Sequence, residues 1–484
     1  MGELKTKALN GVVWNSIQRF ASMGIRFFFM IFMTRLLLPS DYGMVGLLAI
    51  FLEIANVFID SGFPSALVRK PDRTEVDESS VFYFNIFVST SFYILLFLFA
   101  PLIGKFYDMP ELATILRVLG LTLIINSFST IQTIVCNIKL DFKTPSLIYI
   151  ICSVISGTFG VILAMNGFGV WALVWQQLFS SFCITLSFWI FARWRPLWVF
   201  SMKSLKEMFA FGSNLLGTSV LNVIYRNISP IFIGKYYSPS DLGLYSRADQ
   251  LVAFPSGTLQ GVLISVSYPV LCKVQSNKAA LTEVFRQFIQ LTAFILFPVM
   301  VLLGVLSTPV IDALFGDNWS GASVYMPILC FPLMLVPLQC INLNVLKVVG
   351  RSDLILRLEI IGKVSGVIML AITLPISIIA LCYGTVVNVL ICFFINTYYT
   401  ARFVDLTVWG QIKDISRSLL LALVAGVAAF LVAMLFTSAW AKVLVGGSVG
   451  VMVYVGMAMV LRMKEYYLTI DLVKQLLHRN KKSG

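Results

Sequence analysis

The chain of 484 residues contains a single histidine, His478, in a basic tail. One imidazole at that position leaves no material for Ser-His or Cys-His nucleophile pairs, or for a histidine-built zinc site, within the apolar body of the chain. Eight cysteines are scattered through apolar runs with no CxxC among them. They are expected as small core residues, without a disulfide framework, a metal site or any other cofactor. No GxxxxGK[ST] loop occurs, so the chain does not drive work by hydrolysing ATP itself. Charge is also scarce, at 12% of residues. With no nucleophile, base or phosphate loop, an enzyme is not expected.

What is present is apolar: 58% of residues are hydrophobic and the mean hydropathy is +0.89. Runs of about 20 apolar residues recur along the whole length, each long enough to cross roughly 30 Å of hydrocarbon as a helix. The expected fold is an all-α polytopic membrane protein with about 14 transmembrane helices between residues 11 and 461. Helices are favoured over a barrel because the runs are continuous, not alternating ten-residue strands. An inside N-terminus gathers most loop lysines and arginines on the cytoplasmic face and leaves Arg35, Lys105, Lys235 and Lys442 opposite. That is the positive-inside bias, so the formal charge of +13 points to anionic lipid and not to nucleic acid. No cleavable signal peptide is expected before the first span, and the opening "MGELKT" fits a myristoylation pattern by coincidence.

One short motif appears twice. "LLLPSDYG" ends at Gly43 and "YYSPSDLG" ends at Gly243. Upstream, Arg26, Ile31 and Phe32 recur as Arg226, Ile231 and Phe232. A shared register over that length marks an internal repeat. Six spans separate the copies, so both face the same side, and the repeat is parallel, with two six-helix lobes around a central cavity. "CNIKLDFKTPS" and "VLKVVGRSDL" are a fainter echo. The expected organisation is an N-terminal lobe at 1–192, an interfacial linker at 193–207, a C-terminal lobe at 208–403, two appended spans at 404–461 and a basic cytoplasmic tail at 462–484. In the linker, Trp194 and Trp198 suit the headgroup region, and Ser204 with Glu207 reads as a capping box. The tail carries leucines at helical spacing, which fits an interfacial helix or a solvated segment alike.

Charged residues inside spans cost about 2.5–3.5 kcal/mol each and call for a reason. In the first span Asn15, Arg19, Ser22 and Arg26 fall on one helical face. In the seventh, Ser219, Asn222 and Arg226 occupy the registers of Arg19, Ser22 and Arg26. Two polar stripes, each ending in arginine, are what the walls of a wet cavity would carry; arginines that merely pin helices through acids are the alternative. The second span has Glu53, Asn56 and Asp60 on one face, and Ser256 and Gln260 stand at the offset of Asn56 and Asp60 in the eighth, which also holds Arg247 and Asp249. These acids either pair with the arginines or titrate in ion coupling. Glu359 and Lys363 form a favourable i, i+4 pair, with Lys363 still a candidate for the cavity. Arg117 either snorkels or faces cargo. "GKVSG" at 362–366 is a helix-contact pattern. An arginine-lined cavity suits an anionic cargo, since guanidinium stays charged and grips phosphate oxygens with two parallel hydrogen bonds.

Several stretches resemble the Wzx-type polysaccharide flippases of the multidrug/oligosaccharidyl-lipid/polysaccharide superfamily, most closely the branch of colanic-acid exporters. They are "NGVVWNSIQRF", "DSGFPSALVRKPD", "PSDLGLYSRADQLVAFP", "LFGDNWSGASVYMPIL" and "VVGRSD". The resemblance implies a V-shaped two-lobe fold with a cationic lumen in the bacterial inner membrane, both termini cytoplasmic. It implies movement of undecaprenyl-pyrophosphate-linked oligosaccharide from the cytoplasmic to the periplasmic leaflet by alternating access, coupled to H+ or Na+. Membrane lipids and the pathway's polymerase and glycosyltransferases are the implied partners. Arg26 is the first candidate for pyrophosphate contact and Arg226 the second. Related lipid II flippases place arginines on helices one, two and eight, whereas this chain has Glu53 and Asp60 on helix two. The competing readings are a cation-coupled drug antiporter, whose acids would bind cargo, and a membrane glycan polymerase, which needs a large periplasmic loop.

Overall fold

In hydrocarbon a backbone satisfies its N–H and C=O groups only within its own helix, so apolar runs bounded by Pro, Gly and capping residues become helices. The computed structural model describes residues 2–481 except 61, 62, 71 and 193, with backbone alone for 2–13, 15–17, 19–20, 64–65, 69, 207, 209–215, 218, 472–473 and 475–481. The helices in order are α1 (Gly2–Leu36), α2 (Pro39–Asp60), α3 (Glu75–Phe106), α4 (Glu111–Ile138), α5 (Lys143–Met165), α6 (Val170–Phe191) and α7 (Met202–Tyr236). There follow α8 (Pro239–Val274), α9 (Lys278–Val305), α10 (Met326–Val348), α11 (Ser352–Thr373), α12 (Ile378–Thr400), α13 (Val408–Ala433), α14 (Ala439–Val460) and α15 (Lys464–Lys481). Among the described residues 11 helices are long and apolar enough to cross a membrane, all but α1, α7, α11 and α15. The long helices α1, α7 and α11 carry the in-span charges noted above, and with the 11 they agree with the fourteen spans expected. The chain is a multi-pass membrane protein.

Two compact units divide it, 1–243 and 244–484. In the first, α1 lies on α5, where Gly157 leaves room for the ring of Phe29. A second centre gathers Phe63, Leu67, Phe82, Ile131, Trp194 and Leu205. The linker is thus part of the core: Trp194 is 6% exposed while Trp198 is 95% exposed, so of the two indoles expected at headgroups only Trp198 is placed for it. Ser79 and Ser80 of α3 accept from the backbone N–H groups of Leu197 and Ser201, both at 2.9 Å. The cap of α7 also differs from expectation. Ser201, with extended backbone, accepts from the Ser204 N–H, because the helix starts three residues before Ser204. Arg193 and the Glu207 side chain lie outside the described residues. The repeat assigns α7 to a lobe at 208–403, whereas the compact units place it with residues 1–243. In the second unit α9 packs on α13, with Phe285, Phe297, Trp319 and Ala425 fully enclosed. All eight cysteines are free thiols, buried or half-buried.

The duplicated motif has a physical use. Pro39 and Pro239 begin α2 and α8, where a missing N–H costs nothing. Asp41 Oδ2 accepts from the Leu38 N–H at 2.9 Å. Asp241 Oδ2 does the same for Ser238 at 3.2 Å, and Ser238 Oγ accepts in return from the Asp241 N–H at 3.1 Å. A methyl group added at Gly43 would overlap the Pro239 carbonyl, and one added at Gly243 would overlap the Pro39 carbonyl. Each copy therefore lays its glycine on the proline of the other, a local two-fold clasp of helix starts that only a residue without Cβ permits. The unit boundary falls just after the second glycine.

Candidate functional site

Below the clasp α2 and α7 run antiparallel. Leu47 fills the space left by the missing side chain of Gly234, and six residues further along α2, Glu53 meets Arg226 of α7. Arg226 Nη2 donates to Glu53 Oε2 at 2.6 Å, and Asn227 Nδ2 donates to the same oxygen at 2.7 Å. Because both helices rise 1.5 Å per residue in opposite senses, the stripe that continues from Glu53 to Asn56 and Asp60 runs alongside the one that returns from Arg226 to Asn222 and Ser219. Asn56, Asp60, Ser219, Asn222 and Arg226 are all exposed. Two stripes read separately from the sequence thus form one polar surface.

The ion pair lies at the surface of the protein. The side chains of Arg226 and Glu53 are 69% and 36% exposed, so the pair is not enclosed by the protein. The carboxylate orients the guanidinium, a group of the kind that makes charge-assisted, two-pronged hydrogen bonds to phosphate oxygens.

The other expected residues distribute as follows. Arg26 is exposed on α1 and makes no hydrogen bond or ion pair among the described residues. Ser22, four residues earlier, is buried at 9% exposure, so it does not line an open face. The side chains of Asn15 and Arg19 lie outside the described residues. Arg117 is engaged by α3: its guanidinium stacks on Phe97 at 4.3 Å and its Nε donates to the Phe97 carbonyl at 3.4 Å. In the second unit Arg247 donates to Gln250 at 3.0 Å, and Asp249 is half-buried near Tyr245 and Cys382. Ser256 is buried and donates to the Leu333 carbonyl at 2.8 Å, while Gln260 is half-buried. Glu359 is exposed and Lys363 half-buried, one turn apart on α11. Gly362 of the GxxxG pattern faces the Cys392 sulfur of α12. Sequence reasoning missed Asn227. Its repeat counterpart is Phe27, so the repeat that pointed to Arg226 gave no signal one position later.

Comparison with known proteins places the chain in a family. Residues 32–324 match a family model described as "Polysaccharide biosynthesis protein". The chain is 25% identical to the teichuronic acid biosynthesis protein TuaB of Bacillus subtilis, over 89% of this chain and 90% of that one. It is 25% identical to the succinoglycan biosynthesis transport protein ExoT of Rhizobium meliloti, over 64% of this chain and 63% of that one. Among solved structures, the lipid II flippase MurJ in an inward closed conformation superposes with a TM-score of 0.75 at 17% identity, covering 93% of this chain and 99% of that one. The fold is shared with that structure.

Proposed function

Since the chain belongs to the polysaccharide biosynthesis protein family, on a match that spans residues 32–324, we propose that it is a flippase for lipid-linked oligosaccharide in surface polysaccharide biosynthesis. Undecaprenyl-pyrophosphate-linked repeat units pass from the cytoplasmic to the periplasmic leaflet of the bacterial inner membrane by alternating access, with both termini cytoplasmic. The observation that carries this reading is the facing of the α2 and α7 stripes at Arg226 and Glu53. A guanidinium on an exposed polar face suits a diphosphate linked to sugars: the arginine takes the phosphates and the amides and hydroxyls of Asn56, Ser219 and Asn222 take hydroxyl groups. Arg26 supplies a second guanidinium, one with no ion-pair partner among the described residues. Asp60 and Asp249 are the carboxylates proposed to couple transport to H+ or Na+. The named relatives include a transport protein for succinoglycan biosynthesis and, in fold, a lipid II flippase. These likenesses support transport in preference to catalysis, with the pathway's glycosyltransferases and polymerase as the enzymes that make and consume the cargo.

The test is reconstitution of the purified chain into liposomes that carry a fluorescent undecaprenyl-pyrophosphate-linked oligosaccharide in one leaflet. Transfer to the opposite leaflet, lost on Arg226→Ala, is the expected result. Transfer at the protein-free rate, together with efflux of organic cations that depends on Asp60 or Asp249, would replace the proposal with the antiporter reading.

A further inference from the structure

The second unit carries a cleft separate from the α2–α7 surface. Helices α9 and α13 and the turn from α14 into α15 enclose a cavity of about 1030 Å³. One wall is rigidly built. Arg286 of α9 donates from Nε and Nη2 to the two carboxylate oxygens of Asp414 on α13, both at 2.6 Å, and the Asp414 side chain is only 5% exposed. At the rim Lys278 and Asp405 pair at 2.6 Å. Those two pairs neutralise themselves.

Three cations remain. Arg417 stands one turn beyond Asp414 on α13, and Arg462 and Lys464 come from the α14–α15 turn; all three line the cavity. Their side chains make no hydrogen bond or ion pair among the described residues. The remaining carboxylates of the lining are Glu283 and Glu465, so the mouth keeps a positive excess. Exposed Leu420, Leu461 and Leu468 give the other part of the wall an apolar surface.

Arg462 is the most telling of the set. Its φ is +49°, the left-handed region where Cβ crowds the backbone and glycine is the usual occupant. The turn is a regular helix ending, closed by the Arg462 N–H on the Met459 carbonyl at 3.1 Å and the Met463 N–H on the Ala458 carbonyl at 3.0 Å. Nothing in that backbone requires an arginine. A glycine would end the helix with less strain, and the side chain that bears the cost lines the cleft.

We propose that this cleft binds the phosphodiester headgroup of a membrane phospholipid. Arg417, Arg462 and Lys464 take the phosphate oxygens, because guanidinium and ammonium groups make their strongest hydrogen bonds to such anions. The acyl chains leave along Leu420 and Leu468. The Arg286–Asp414 pair acts as a positioning wall that holds α9 and α13 at the spacing of the headgroup. An apolar flank beside basic residues at the end of membrane-spanning helices fits a lipid and not a free ion. The assignment is independent of what the α2–α7 surface carries.

The experiment uses the full purified chain, stripped of lipid in detergent and titrated with phosphatidylglycerol or with diacylglycerol of the same acyl chains, bound lipid being counted by native mass spectrometry. Wild type retains phosphatidylglycerol about tenfold better than diacylglycerol, and Arg417→Ala with Lys464→Ala removes that advantage, the change expected on losing charge-assisted hydrogen bonds. Arg462→Gly lowers phosphatidylglycerol binding while the thermal unfolding temperature holds or rises, which a structural arginine would not allow. Undiminished phosphatidylglycerol binding by these variants, equal retention of diacylglycerol, equal protection by inorganic phosphate alone, or unfolding of Arg462→Gly at lower temperature would each overturn the assignment.

Discussion

Arg226 illustrates how a costly residue is placed. A guanidinium in a membrane-spanning segment is expensive, and here Glu53 supplies the opposite charge and one acceptor, while Asn227 donates to the same carboxylate oxygen. The protein does not enclose the pair. Arg226→Ala is therefore expected to slow transfer of a pyrophosphate-linked cargo by about tenfold or more in the liposome assay, the loss that accompanies ~1.5–3 kcal/mol of hydrogen bonding to a charged group. Arg226→Lys keeps the charge but not the two-pronged donor and is expected to recover only part of the rate. Glu53→Gln should leave stability within about 1 kcal/mol of wild type, since an exposed ion pair contributes no more; denaturant titration of the purified protein checks it. At this scale the sequence was partly legible. Arg26, Glu53 and Arg226 stand out as charges in apolar runs, and periodicity puts them on faces. Ser22 shows the gap: it shares a face with Arg26 by spacing, yet it is buried while Arg26 is exposed.

Elements explain why a five-residue motif is kept twice. Pro ends one segment, Asp caps the next, and both functions are readable from residue type. The glycine is different, because its reason lies two hundred residues away in the proline of the other copy. Gly43→Ala and Gly243→Ala each force a methyl into a backbone carbonyl and are expected to cost about 1–3 kcal/mol, as overpacking does. Gly24→Ala on α1 meets open space and should be neutral or stabilising by up to about 1 kcal/mol through helix propensity. Thermal unfolding of the three variants separates a contact requirement from a general intolerance of alanine. The clasp also fixes how α2 and α7 are aligned below it, so the same variants are expected to disturb the Glu53–Arg226 contact, seen as slower transfer even where the protein still folds.

For the molecule as a whole, α13 and α14 are no loose appendage to the twelve helices of the repeat. Asp414 is held by Arg286, the Tyr454 hydroxyl donates to the Phe294 carbonyl at 2.9 Å, and Gly426 and Gly450 bring α13 and α14 against Val301 and Leu302 of α9. Arg286→Ala leaves a buried carboxylate without its donor and should destabilise the protein by about 1–3 kcal/mol. Asp414→Asn, which removes the stranded charge, should recover part of that loss when combined with it, and a double-mutant cycle on unfolding free energies measures the coupling.

Hydropathy, run length and residue type determined that this chain spans a membrane as helices, and that it contains a repeat. These follow from the chain's own backbone and its solvent, so they are local properties. Only the tertiary structure decided which polar faces meet, that Trp194 is core and Trp198 is not, that α7 joins α2 in one compact unit, and that each PSDxG glycine answers the other's proline. Contacts between residues far apart in the chain depend on packing geometry, which spacing along one helix does not encode.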